Sequence, residues 1–255
     1  MIPKIIHYCW LSGEPYPRKI KKFMASWRKN LPDWEFRLWD RSSLPEASPD
    51  WVKEACEAGK WAFAADYVRL YAVHKHGGFY LDTDVEVLKD LTPLTALPYA
   101  LCLESDSGDI EAAAFGAEPG DPRIGKALEF YSGRHFNKKA AIQGTSLLAP
   151  AIIKAAVSPT IVISSPEEFR DGVQETQVLP PTFLSPKSYL HKDLRNLSGD
   201  TYVIHHFRSA WMPLRKKMSW AIRRILPAGL SEALFRVAAS VNKLLHPGHD
   251  GDKSE

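Results

Sequence analysis

Two aspartates one residue apart, Asp82 and Asp84, follow a double glycine, Gly77-Gly78, and a short aromatic stretch, Phe79-Tyr80-Leu81. In an extended chain the side chains alternate, so both carboxylates share one face and Thr83 takes the other. Like charges that close repel unless a cation sits between them. Their oxygens suit a hard divalent ion such as Mn2+ or Mg2+. An Asp-x-Asp alone is also compatible with a solvated turn, but a strand and a glycine stop directly before it weigh against that. Upstream, Asp66 and Arg69 stand at i and i+3 and so share one helix face. They can form an ion pair on that face or turn their charges to a ligand.

The elements that must position these groups are legible on either side. Residues 62–76 contain no proline or glycine and are rich in helix formers, and Gly77 can end the helix in a left-handed cap. Phe79 to Leu81 has strand character, and Val85 to Leu88 continues extended. At the start of the chain, residues 2–11 suit a buried first strand and 17–30 an amphipathic helix with Ile20, Phe23, Met24 and Trp27 on one stripe. Residues 34–39 suit a second strand. Strand, helix, strand opens an α/β nucleotide-binding sheet, and ligands of such sheets sit beyond the carboxyl ends of the strands. Trp10 and Ser12-Gly13 lie at such an end. Further on, the pattern predicts a short helix at 50–59, strands at 99–103 and 112–116, and a helix from Pro122 to about Tyr131. A helix at 146–157, extended pieces at 161–163 and 175–179, and a loop at 180–186 come next. A strand running into a polar turn over 201–211 carries adjacent His205 and His206. Neighbouring strand residues face opposite ways, so only one of the two can face the site.

The segment Asp66-x-x-Arg69 followed by Gly77-Gly78-Phe79-Tyr80-Leu81-Asp82-Thr83-Asp84 resembles the DXD sugar-transferase region of glycosyltransferase family 32. That family includes bacterial capsular polysaccharide synthesis proteins, and the glucosylating clostridial toxins are more distant relatives. The resemblance implies a GT-A-like α/β nucleotide-sugar-binding domain with a central mixed sheet, a Mn2+ (or Mg2+) cofactor and retention at the anomeric carbon. The opening Ile2–Trp10 also looks like the family's, which implies that Trp10 stacks on a uracil ring; without it, Trp10 is equally a core residue. His205-His206-x-x-Ser209 and Ser209-x-Trp211 resemble the family's ending. That implies His206 as third metal ligand beside Asp82 and Asp84, with His205 left open by one residue of register, and Ser209 and Trp211 on the leaving phosphate. Relatives carry an asparagine where this chain has Ile110 to Phe115, so the contacts to the donor sugar differ.

At 255 residues, 45% of them hydrophobic and 25% charged, the chain suits one globular domain with a tail. Cys9, Cys56 and Cys102 are an odd number in apolar or helical surroundings, which suggests buried thiols of a reducing compartment. No signal peptide is expected, since the apolar run from Ile5 to Leu11 is short and broken by His7. No apolar run is long enough to span a bilayer. The net charge is +3, yet residues 213–246 hold seven Lys or Arg against one acid, Glu232. The expected organisation is a catalytic domain at 1–212, a basic amphipathic helical extension at 213–246 and a flexible tail at 247–255. The extension suits an anionic membrane surface, so the expected location is cytoplasmic or peripheral on the inner face of the cytoplasmic membrane. Nucleic acid is not expected, because no reading motif accompanies the charge.

The function expected is transfer of a sugar from a nucleotide diphosphate, a UDP-sugar, to a glycan or lipid-linked glycan acceptor in surface polysaccharide synthesis. In that reading Asp82 and Asp84 hold the cation, Arg69 contacts phosphate or a hydroxyl, Asp66 accepts from a sugar hydroxyl, and Tyr80 lines the ribose or sugar. No second carboxylate stands out as a nucleophile; Glu104 and Asp109 are the nearest candidates. One rival is an Asp-x-Asp phosphohydrolase with Asp82 as nucleophile, although Glu86 stands where that pattern wants Thr or Val. The other is a cation or nucleotide-sugar binding module without turnover.

Overall fold

A computed structural model of the chain describes residues 1–143 and 148–208, which belong to one compact unit, Met1–Arg208. Ser209, Trp211 and the basic extension at 213–246 lie outside the described residues. The first strand, β1 (Ile5–Cys9), leads through α1 (Arg18–Asn30) to β2 (Glu35–Trp39). The apolar stripe forecast for α1 is buried through Ile20, Phe23 and Trp27, and the Trp27 indole donates to the Val85 carbonyl at 2.8 Å. After α2 (Asp50–Glu57) comes α3 (Trp61–His76). Its buried residues, from Phe63 to Val73, lie on nearly all sides, the pattern of a helix enclosed by the core.

Gly77 ends α3 with φ +65°, its N–H donating to the Val73 carbonyl at 2.8 Å. Gly78 then opens β3 (Gly78–Leu81) at φ +98°, and a Cβ there would stand 2.6 Å from the Ile5 carbonyl oxygen. Only glycine lets helix and strand meet that closely. The chain continues through β4 (Val85–Val87), β5 (Tyr99–Ala100), β6 (Ala114–Ala117), α4 (Pro122–Glu129), α5 (Lys138–Gln143) and α6 (Ala149–Val157). It ends through β7 (Thr160–Val162), β8 (Thr176–Val178), α7 (Pro181–Leu184) and β9 (Val203–His205). The stretch expected to be a plain loop at 180–186 thus contains a short helix.

The main sheet has the order β2-β1-β3-β6-β5, with β1 parallel to β2 and β3, and β6 antiparallel to β3 and β5. This is the mixed α/β sheet expected. Because β1 and β3 are parallel neighbours, their carboxyl ends open on the same edge. The period of two splits β3 between two cores: Tyr80 packs with α2, α3, α4 and α6, while Phe79 and Leu81 pack on the other face with Trp27 of α1. Separate two-stranded ladders pair β4 with β9 and β7 with β8. Cys9 and Cys102 are buried, Cys56 is half-buried, and all three are free. No helix among the described residues is long and apolar enough to cross a membrane.

His7 on β1 is fully buried. Its Nε2–H donates to the Gly77 carbonyl at 2.9 Å, and its Nδ1 accepts from the Trp39 indole at 3.1 Å. Both nitrogens are satisfied only in the neutral ring. Burial, reinforced by Arg37, pushes its pKa down to about 4. The unfolded chain binds this proton near pH 6.5, the fold only near 4, so below pH 6.5 the unfolded state holds more protons and stability falls as pH falls. Urea unfolding at pH 7 and pH 5 should show this group contributing a loss on the order of 2 kcal/mol. His7→Gln should flatten that part of the dependence; an identical pH slope in wild type and variant would contradict the assignment.

Candidate metal and donor site

The carboxylates lie where β3 leaves the sheet. Asp82 N–H donates to the Ala113 carbonyl at 2.8 Å, and Val85 N–H donates back to the Asp82 carbonyl at 2.9 Å. The Asp82–Asp84 segment is therefore a tight turn, and the turn, not strand alternation, brings the two side chains together. The β4–β9 ladder supplies the third group. Its register sets Val85 opposite His205, and His206 N–H donates to the Asp84 carbonyl at 3.1 Å. Asp82, Asp84 and His205 each offer one ligand atom, all within 4.8 Å of one another.

The histidine differs from the one expected. His205, not His206, faces the aspartates, with Nε2 3.5 Å from Asp84 Oδ1. His206 points the other way, stacks on Phe23 with ring centroids 4.1 Å apart and donates through Nε2 to Glu86 Oε2 at 2.8 Å. The reverse side of the His205 ring meets a residue not singled out from sequence, Glu111. Its carboxylate lies 3.3 Å from His205 Nδ1, is almost fully buried and accepts from Ala113 N–H at 2.8 Å and Ser185 Oγ at 2.6 Å. A carboxylate behind an imidazole fixes the proton on Nδ1 and leaves the Nε2 lone pair for a metal. Burial opposes charge on His205, but Glu111 and Asp84 outweigh it and lift its pKa to about 9. The place between the carboxylates thus favours positive charge. Two carboxylates and one imidazole fit Mn2+ or a similar ion. A lone acid inside the apolar run Ile110 to Phe115 was the signal that could have marked Glu111.

The helix pair has an internal role. Arg69 and Asp66 are both buried and form the ion pair with each other at 3.0 Å. The Arg69 guanidinium also donates to Asp82 Oδ2 at 3.4 Å and the Ala112 carbonyl at 2.8 Å, and it lies over the Tyr80 ring. Burial opposes its charge, but Asp82, Tyr80 and Asp66 hold it firmly cationic. Burial pushes Asp66 up to about 6 against the pull of Arg69, and its second oxygen accepts from Ala149 N–H at 3.3 Å. Tyr80 is buried and its hydroxyl donates to Asp82 Oδ1 at 2.8 Å. Among the described residues Arg69 and Tyr80 are thus engaged with Asp82, and Asp66 with Arg69 and the Ala149 N–H.

Trp10 follows β1 on the edge where Asp82 follows β3. It is half-buried, with its ring 4.7 Å from that of Tyr16 and its indole N–H donating to the Glu14 carbonyl. Of the two nucleophile candidates, Asp109 faces Lys154 at 3.5 Å, and Glu104 accepts from Ser107 Oγ at 2.6 Å. Burial and the neighbouring Glu111 raise Glu104 to about 7.

Residues 17–100 match the family model described as a glycosyltransferase sugar-binding region containing a DXD motif. The inositol phosphoceramide mannosyltransferase 3 of Schizosaccharomyces pombe is 31% identical over 61% of this chain and 45% of its own length. An uncharacterized glycosyltransferase of Acanthamoeba polyphaga mimivirus is 24% identical over 84% of this chain and 85% of its own. The chain thus spans about half the length of the first relative and most of the second. A solved structure titled PaToxG Glycosyltransferase aligns at 19% identity and TM-score 0.47 over 61% of this chain and 68% of that one. The matched segment, about a third of the chain, contains the Asp82-Thr83-Asp84 turn and so is similar to a DXD-containing sugar-binding region.

Proposed function

We propose that this chain is a metal-dependent, retaining glycosyltransferase of GT-A-like build that takes a sugar from a nucleoside diphosphate donor, a UDP-sugar, to a glycan or lipid-linked glycan acceptor. The observation that carries this is the convergence of Asp82, Asp84 and His205 at the sheet edge that also bears Trp10. A divalent cation bound there supplies Lewis-acid stabilisation to the negative charge that grows on a departing diphosphate. The chain's own residues hold the ligands in place. Tyr80 and Arg69 fix Asp82, the Arg208 N–H donates to Asp84 Oδ2 at 2.8 Å, and Glu111 orients His205. The relative named as a mannosyltransferase of inositol phosphoceramide adds mannose as a second candidate sugar and favours a lipid-borne acceptor.

A thermal-shift screen with Mn2+ tests the reading, using UDP-glucose, UDP-galactose and GDP-mannose. A ligand at 100 times its Kd stabilises the native state by about 2.7 kcal/mol. One nucleotide sugar should raise Tm, and Trp10→Ala should weaken its binding by about tenfold, within the 1–3 kcal/mol of a base stacked on an aromatic ring. No shift with any nucleotide sugar would overturn the proposal. A folded Trp10→Ala protein with wild-type affinity would return Trp10 to a packing role.

A further inference from the structure

A cationic side chain can add to a metal in stabilising a departing diphosphate, and the arginine expected to serve is engaged elsewhere among the described residues. The Arg69 guanidinium is buried among Asp66, Asp82 and the Ala112 carbonyl. Lys187 is differently placed. It is half-buried, and its ammonium donates to His206 Nδ1 at 3.4 Å. It forms no ion pair among the described residues. Since His206 accepts from Lys187 on one nitrogen and donates to Glu86 from the other, its ring is a neutral spacer, clamped by stacking on Phe23. Lys187 also feels the Asp84 and Glu86 carboxylates, which oppose the loss of charge that burial favours.

The loop carrying Lys187 is fastened on both sides by buried hydroxyls. Ser185 Oγ donates to Glu111 at 2.6 Å, the same carboxylate that orients His205. Ser188 Oγ lies 2.9 and 3.1 Å from the two Asp106 oxygens, and Leu190 N–H donates to Asp106 at 2.9 Å. Ser185 and Ser188 are almost wholly buried. Such a backbone presents its lysine with little ordering left to do on binding, and an ammonium bonded to an imidazole can exchange that bond for a phosphate oxygen.

Resting on the proposed function, we infer that Lys187, next to His206 whose N–H holds the Asp84 carbonyl, binds the diphosphate of the donor and of the departing nucleotide. The contact is non-covalent: the ammonium keeps its protons and donates to a phosphate oxygen.

Calorimetric titration with UDP and GDP, each against its nucleoside, in the presence of Mn2+ tests this on the full chain. Lys187→Met should weaken the preferred nucleoside diphosphate by about tenfold, roughly 1.4 kcal/mol, with nucleoside affinity and Tm unchanged. Lys187→Arg should recover most of the loss, because it restores the charge. Equal diphosphate affinity in wild type and Lys187→Met would overturn the inference and leave the proposed function standing. Parallel loss of diphosphate and nucleoside affinity, or a lowered Tm, would make Lys187 a structural residue and overturn it as well. A wild type that binds neither UDP nor GDP would overturn the proposed function, and the inference with it.

Discussion

Asp84→Ala should lower turnover by about two to three decades while the protein stays folded. The loss of one group that stabilises charge in the transition state costs about 3–4 kcal/mol by analogy with a deleted oxyanion donor, and each 1.36 kcal/mol is about tenfold in rate. Asp84 is the cleaner of the two carboxylates to remove. Among the described residues its side chain holds only the Arg208 N–H and a longer contact to His205. Asp82 also takes bonds from Tyr80 and Arg69, so its removal disturbs a buried ion network. Turnover of Asp84→Ala within a few-fold of wild type, measured as release of nucleotide from the donor, would remove this residue from the chemistry.

Arg69→Met should destabilise the fold by about 3–5 kcal/mol, the usual cost of removing one partner from a buried ion pair. The charge is shared by two acids. Asp66 is 3.0 Å away and buried, and Asp82 is 3.4 Å away on the other side. Without the guanidinium both would keep their desolvation cost and lose their compensation. Arg69→Lys should rescue little, since one ammonium cannot reproduce donors directed at Asp66, Asp82 and the Ala112 carbonyl together. Urea midpoints measure this directly. A loss below about 1 kcal/mol, the range of an exposed pair, would show that the network is solvated in solution.

What the sequence made legible is what local physics decides. Gly77 stops α3 because glycine adopts its φ of +65° without strain. The apolar spacing of α1 and the alternation in β3 follow from helix and strand periods, and the Asp-x-Asp pair stands where a strand runs out. What stayed hidden depends on long-range pairing. His205 and His206 are one residue apart, and only the β4–β9 register decides which faces Asp84; a slip of one would exchange them. The i, i+3 spacing of Asp66 and Arg69 does not say whether the pair is buried. Its burial comes from α6, whose first amide reaches Asp66, and from the bend before β6 that brings the Ala112 carbonyl to Arg69. Glu111 acquires its meaning only when β9 arrives across 94 residues of sequence.

The central claim is that Asp82, Asp84 and His205 act through a bound divalent cation on a nucleotide sugar. The most direct measurement is release of free nucleotide from the donor selected by the thermal screen, followed without acceptor in Mn2+, in EDTA, and in EDTA with Mn2+ restored. The account predicts slow release in Mn2+, none in EDTA, and full recovery on adding the metal back. Release that continues unchanged in EDTA would contradict it.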